Sequence, residues 1–332
     1  KVFNALNELQ SRLLSRQDLT QTTIKAFTGV LTVAVITVGA VLVVDGDLDI
    51  GEMIGANILA ARALTPVVAL CQQTESWRRA DQAKQTIDDF ERVPFEKMDG
   101  SAFENYSGNL DFREITFNYP VRETPVIEKL SLSLGAGEVL CVTGANGSGK
   151  TTLTKLIVGL LEPSEGYVSV DGVNLKQLSL EWWRKQLIYL PQEPNFLEGS
   201  IRENFQAFDN GISDTKIREL LSSVGLDEEI DKSVGGLDQI LNTSGSSLSL
   251  GVRRRLALAR ALINKGRIAI LDEPTEGIDS KGAGYVYDVM SNLSKEGITL
   301  IICSHDSDVL NGAHHVLALD DGERPVMRTV SY

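Results

Sequence analysis

The apolar and polar positions divide the chain into three stretches. Residues 26–44, AFTGVLTVAVITVGAVLVV, form an apolar run without charge or proline. As a helix, these 19 residues cover roughly 28 Å, close to the hydrocarbon core of a bilayer. A second apolar stretch, 53–71, carries Asn57 and the cation Arg62. The pattern predicts two membrane helices, at about 24–44 and 53–71. Phe3, Leu6, Leu9, Leu13 and Leu14 recur at helical spacing ahead of them, and 72–90 continues as a polar helix. Both read as cytosolic extensions of the membrane helices. Residues 91–108, with Pro94, Gly100 and Gly108, read as a linker. From 109 to 332, β-rich runs alternate with helical patterns, as in an α/β domain.

Charge orients the helical part. Asp45, Asp47, Asp49 and Glu52 lie between the two apolar stretches, with no Lys or Arg among them. Arg12, Arg16 and Lys25 flank one side, and Arg78, Arg79 and Lys84 the other. The positive-inside bias therefore predicts a hairpin with both ends cytoplasmic and the acidic turn outside. A signal peptide would be shorter and would begin earlier. A buried core helix is the stronger competitor, because Arg62 interrupts the second stretch. In lipid, Arg62 must face a bundle interior or an aqueous path, which two helices cannot enclose. The hairpin is thus expected to pair with other spans. A chain that begins at Lys1 rather than Met reads as a fragment of a longer one.

Composition narrows the function classes. With 42% hydrophobic and 23% charged residues the chain is globular rather than disordered. A formal net charge of −13 argues against nucleic acid as the main partner, since phosphate backbones need a basic field. Cys71, Cys141 and Cys303 are far apart and have no metal-like spacing, so reduced thiols are expected.

The chemistry begins after the β-rich run Val139-Leu140-Cys141-Val142-Thr143. It leads into Gly144-Ala145-Asn146-Gly147-Ser148-Gly149-Lys150-Thr151-Thr152, and 153–160 has helical character. This is G-x-x-x-x-G-K-[ST] between a strand and a helix, a phosphate-binding loop. The glycines let backbone N–H groups turn inward, and the helix presents its positive end to the phosphates. Lys150 is expected to reach the β- and γ-phosphates, and the Thr151 hydroxyl to ligate Mg²⁺. A second buried-strand run, 267–271, ends in Asp272 and Glu273, followed by Pro274 and Thr275. Beside a phosphate loop, Asp272 suits the Mg²⁺ shell and Glu273 an attacking water. His305, after the apolar run 298–303, is the candidate γ-phosphate contact.

Together these residues resemble the ATP-binding cassette (ABC) transporters. Further motifs carry the resemblance. Tyr119 stands where that family stacks an aromatic on adenine, and Gln192 matches the glutamine that senses Mg²⁺ and couples to the membrane domain. Leu248-Ser249-Leu250-Gly251-Val252, followed by Arg253, Arg254 and Arg255, occupies the place of the family signature. Asp279 matches a dimer-interface aspartate and His305 the switch histidine. The resemblance implies an α/β P-loop NTPase fold. Ahead of it would stand an all-α transmembrane segment like the last two of an exporter's six helices.

The resemblance also implies ATP and Mg²⁺ as ligands, with Thr151, Gln192 and Asp272 around the metal. It implies head-to-tail pairing with a second half-transporter, identical or related, whose signature closes the site. Ser249 and Gly251 would serve the partner's nucleotide in return. ATP-driven export across a bacterial cytoplasmic membrane follows, with lipid around the helices and the cassette on the cytosolic side. Gly39-Ala40-Val41-Leu42-Val43, Asp45-Gly46 and Arg62-Ala63-Leu64-Thr65-Pro66 are similar to type I secretion exporters, which would add a periplasmic adaptor and an outer-membrane channel. Peptide and lipid exporters share the architecture. Departures from the family stand at Leu250 and Val252, where glycine and glutamine are usual, and at Glu276-Gly277-Ile278-Asp279. Leucine adds bulk where backbone must approach phosphate. The alternative reading is therefore an ATP-binding, weakly hydrolysing partner of a heterodimeric exporter.

Overall fold

The computed structural model describes residues 22, 26–92, 96, 99–120, 124–233, 235–243, 245–319 and 326–329. The helix expected over residues 1–20, its flanking cations Arg12 and Arg16, and Lys25 and Pro94 lie outside the described residues. The chain divides into two compact units, Lys1–Phe95 and Glu96–Tyr332.

In the first unit, helix α1 spans Ala26–Val44 with a mean hydropathy of 2.5. Among the described residues it is the one helix long and apolar enough to cross a membrane. A core helix of a soluble protein would bury this surface, yet Val30, Val33, Val38 and Val44 are all exposed. Gly46 turns the chain at φ 79°, and Asp49 caps the next helix, α2, which runs Ile50–Glu91. Asp49 Oδ1 accepts from Ile50 N at 2.7 Å, and Glu52 Oε2 accepts from Asp49 N at 2.9 Å. That reciprocal cap explains why the helix starts where the acidic turn ends.

Helix α2 has 42 residues and takes in both the second apolar stretch and the polar stretch after it. At its standard rise it is roughly 63 Å long, about twice a bilayer core. Gly39 is buried against this helix, and a Cβ there would lie 2.6 Å from Met53 Cγ. The small residue is what lets α1 and α2 approach so closely. Pro66 lies inside α2 and removes the amide that would otherwise bond the Arg62 carbonyl.

The second unit begins with β1 (Leu110–Phe117), β2 (Ile127–Leu134), β3 (Val139–Thr143), α3 (Lys150–Val158), β4 (Glu165–Val170), β5 (Val173–Asn174), α4 (Leu180–Lys185) and β6 (Leu187–Leu190). A mostly helical stretch follows: β7 (Gly199–Ser200), α5 (Ile201–Gln206), α6 (Asp214–Ser223), α7 (Asp227–Lys232), β8 (Ile240–Leu241) and α8 (Leu250–Ala261). Then come β9 (Ile268–Asp272), α9 (Ser280–Lys295), β10 (Thr299–Cys303), α10 (Ser307–Asn311), β11 (His315–Ala318) and β12 (Val326–Thr329). Helix α3 starts three residues earlier than the apolar pattern suggests, because the glycine turn delivers Lys150 straight into helical backbone.

The main sheet has six strands in the order β12-β11-β3-β10-β9-β6, parallel except for the antiparallel edge strand β12. A four-stranded antiparallel sheet, β2-β1-β4-β5, stands beside it, and β7 pairs with β8. The α/β architecture expected from the sequence is present. Strands β3, β9 and β10 read VLCVT, IAILD and TLIIC and are buried almost throughout. Such runs suit parallel strands covered on both faces.

Successive side chains go to opposite cores. Val139 and Cys141 join the core with α8 and α9, whereas Leu140 and Val142 join the core with α3 and the four-stranded sheet. Cys141 and Cys303 are free and buried. Burial, with the Glu273 charge adding to it, pushes the Cys141 thiol up to about 12. Burial and the Asp272 and Glu273 charges carry Cys303 well above the usual thiol range.

Register then positions the site. Cys303 pairs with Asp272 of β9 on one side and with Val142 of β3 on the other. The carboxyl ends of three neighbouring strands therefore lie level, where open α/β sheets bind their ligands.

Candidate functional site

Each of those strand ends delivers a different chemical group. From β3 comes the glycine loop, with φ 147° at Gly144, 88° at Gly147 and 106° at Gly149. A Cβ at Gly144 would lie 2.0 Å from the Leu319 carbonyl oxygen, so glycine is obligatory there. Gly149 begins α3 without a side-chain cap, so the first-turn N–H groups of α3 are left for a ligand. The Lys150 ammonium is nearly buried and donates to the Gly144 carbonyl at 2.6 Å and the Ala145 carbonyl at 3.3 Å.

From β9 come Asp272 and Glu273. Asp272 is 1% exposed, and neither carboxylate oxygen has a hydrogen-bond partner. Burial pushes its pKa above the usual range, opposed by Thr151, Lys150 and Arg254. The Thr151 hydroxyl nonetheless donates to Gln192 Oε1 at 3.3 Å, and the Thr154 hydroxyl to the Thr151 carbonyl at 2.9 Å. A bare buried carboxylate beside hydroxyl and amide oxygens fits a hard divalent cation such as Mg²⁺, which prefers oxygen ligands.

Glu273 adopts φ 50°, rare for a residue with a side chain. Its N–H donates to the Cys303 carbonyl at 2.9 Å, which extends the strand ladder through the turn. Strain of this kind persists where surrounding structure over-determines it, and it clusters at functional sites. Burial raises the Glu273 pKa, against the pull of Lys150 and His305. A partly desolvated carboxylate of that sort is a better base than a solvated one.

From β10 comes His305. Its Nε2 stands 3.2 Å from Lys150 Nζ and 3.8 Å from Glu273 Oε1, and its Nδ1 lies 3.5 Å from Thr143 Oγ1. Lys150 is 4.0 Å from Glu273 Oε1, so lysine, glutamate and histidine form one cluster at the mouth of the loop.

A cavity of about 710 Å³ opens over this cluster. Tyr119, Asn146, Gly147, Gly149, Lys150, Thr151, Thr152, Gln192, Asp272, Glu273 and His305 line it. Gly144, Ala145 and Ser148 shape the loop without lining the cavity. Tyr119 packs edge-on against Phe117 with ring centroids 4.9 Å apart, and its hydroxyl lies 3.2 Å from Thr152 Oγ1.

Ser249, Gly251 and Asp279 do not line this cavity. Ser249 caps α8, accepting from Val252 N at 3.3 Å, and Asp279 caps α9, accepting from Gly282 N at 3.0 Å. Each gives its helix a defined start. Sequence reasoning missed two further groups. Glu276 lines the cavity and pairs with Arg254 at 2.7 Å. Asp306, next to His305, accepts from the Tyr287 hydroxyl and from Thr275 Oγ1 at 3.3 Å. The run of three arginines at 253–255 was the available signal for the first group. No local pattern marked the second.

Known proteins similar to this chain are found at the level of family, sequence and fold. The family model described as ABC transporter matches residues 127–276. The toxin RTX-I translocation ATP-binding protein of Actinobacillus pleuropneumoniae is 32% identical over 295 residues, covering 89% of this chain and 42% of that protein. The alpha-hemolysin translocation ATP-binding protein HlyB of Escherichia coli O6:H1 is 32% identical over 286 residues, 86% of this chain and 40% of that protein. The leukotoxin export ATP-binding protein LtxB of Aggregatibacter actinomycetemcomitans is 32% identical over 288 residues, with the same shares. The chain thus spans about two-fifths of the length of these relatives. A bacterial Atm1-family ABC exporter with ATP bound has a similar fold, with a TM-score of 0.67 and 20% identity over 91% of this chain and 55% of that one.

Proposed function

The chain belongs to the ABC transporter family through its cassette, and from that premise we propose that it is the ATP-hydrolysing part of an exporter half-transporter. The observation that carries this reading is the buried Asp272 carboxylate, free of hydrogen bonds, beside the Thr151–Gln192 oxygen pair. Thr151, Gln192 and Asp272 would hold Mg²⁺, which neutralises phosphate charge when bound. Tyr119 flanks the base and the glycine loop wraps the phosphates. Lys150 and His305 donate to γ-phosphate oxygens. Glu273 accepts a proton from the attacking water. A second cassette would close the site through its own signature, and opening and closing of that pair would drive the membrane helices.

The names of the relatives support a polypeptide cargo, because they are toxin, hemolysin and leukotoxin translocation or export proteins. On this reading α1 and the first part of α2 lie in a bacterial cytoplasmic membrane, with the cassette on the cytosolic side. A type I secretion role adds an adaptor and an outer-membrane channel as partners.

One observation favours a second reading, the weakly hydrolysing partner subunit. Leu250 is 40% exposed on the first turn of α8, where an opposing phosphate would need bare backbone. Measuring Mg-ATP turnover of the full chain in lipid, alone and with candidate partner half-transporters, separates the two. Turnover alone supports the first. Turnover confined to mixtures, and surviving Glu273→Gln in this chain, supports the second. No binding of Mg-ATP overturns both.

A further inference from the structure

One face of helix α8 meets the loop 276–279, and that face carries one of the departures noted in the sequence, Leu250. Leu250 and Arg254 stand four residues apart, hence on the same side of the helix. They meet Gly277 and Glu276, the residues where the loop between Glu273 and Asp279 is itself atypical. Gly277 has φ 71°, and a Cβ there would lie 2.7 Å from Leu250 Cδ2. The leucine thus fills space that a larger residue at 277 would need.

One turn on, Arg254 is 4% exposed, and its guanidinium makes three contacts. It donates to the Glu276 carbonyl, to Glu276 Oε2 at 2.7 Å and to the Gln192 carbonyl at 3.3 Å. A buried fork of donors of this kind fixes geometry as well as charge. The Glu276 carboxylate is half exposed and lines the nucleotide cavity.

We propose that Arg254 and Glu276 are positioning residues that lock the start of α8 to the backbone beyond Glu273 and to the Gln192 loop, so that one chain's signature helix sets the geometry of its own hydrolytic site. This rests on the cassette hydrolysing ATP, but part of its test does not. A contact made at the N terminus of α8 reaches the opposite nucleotide site through this lock, with Leu250 against Gly277 as its apolar half. The lock is a chain of direct contacts with two removable partners, so coupling between them is measurable.

The test is a double-mutant cycle of Arg254→Met and Glu276→Gln in the full chain, reconstituted in lipid. Without nucleotide, amide exchange over 276–279 and at Gln192 should speed up about five- to tenfold in each single variant, and no further in the double. With Mg-ATP, kcat should fall about five- to tenfold in each while KM moves less than about twofold, again without further loss in the double. Glu276→Asp, which keeps the carboxylate, should restore both. Additive losses, a rise in KM with kcat unchanged, or unaltered exchange would overturn the proposal. Should Arg254→Met fail to fold, Glu276→Gln and its rescue by aspartate decide the matter at a half-exposed position. Absence of turnover in the unmodified chain would remove the hydrolytic reading and leave the exchange cycle to judge the lock.

Discussion

The cassette presents two surfaces of opposite character. At the strand ends, Lys150, Asp272, Glu273 and His305 converge from three strands, with backbone that tolerates no change at Gly144. At the start of α8 and the loop 276–279, two pairs of neighbours meet instead: Leu250 on Gly277, Arg254 on Glu276. The first surface is fixed by the register of buried strands, which leaves little freedom for substitution. The second is a helix on a loop, where a change on one side is absorbed by a change on the other. Constraint on the first is absolute, and on the second it is relational.

The largest effect that could break this contrast belongs to the strand ends. Glu273→Gln should lower turnover by about 10²–10³-fold while a fluorescent ATP analogue still binds, as loss of a general base predicts. A rate within about twofold of the unmodified protein would remove Glu273 from that role.

Asp272→Asn comes next and has two readouts of opposite sign. Burial raises the Asp272 pKa, so ionisation is disfavoured in the fold relative to the unfolded chain. Its stability contribution is best at low pH and is lost as pH rises through the raised value. Asparagine escapes that loss. Near neutral pH without Mg²⁺ it should raise the melting temperature by about 2–4 °C, while the Mg²⁺ needed for half-maximal turnover rises about tenfold or more. A lower melting temperature would mean that the carboxylate is satisfied in some other way.

Smaller effects sharpen the relational side. Gly277→Ala alone should cost about 1–2 kcal/mol in thermal or urea unfolding, from its positive φ and from Leu250. Made together with Leu250→Ala, it should cost about 0.5 kcal/mol less than the sum of the two. Strict additivity would show that the leucine and the glycine do not meet. The smallest effect is on pH dependence. Glu273 must be ionised to act, and burial raises its pKa, so the acid limb of kcat should lie above the ordinary carboxylate range. Removing the nearby charge by Glu276→Gln should slide that limb to lower pH, and a limb displaced upward would contradict the assignment.

How much of this was legible in the chain follows the same division. The phosphate loop, the acid pair and His305 were readable because each ends an apolar β-rich run, and buried parallel strands leave that trace in the sequence. The start of α3 at Lys150 was missed by apolar periodicity, since its first turn is set by glycine backbone and by residues that reach for a ligand. Arg254 meeting Glu276, and Tyr287 meeting Asp306, join residues 22 and 19 positions apart. Pairing of that kind arises only when α8 and α9 dock against the strand-end loops, and no local spacing announces it. For the helical unit, Gly39 looked like one more small residue in an apolar run, until the close approach of Met53 gave it a purpose.

The two sulfur atoms held inside the cassette have a practical corollary. Cys141 and Cys303 are shielded from solvent and resist ionising, and only the thiolate attacks an alkylating reagent. Once Cys71 is replaced, a probe placed by mutation on the outer turn of α8 would report without background from either. The cassette thereby comes with its own dark field for testing whether a second cassette docks there.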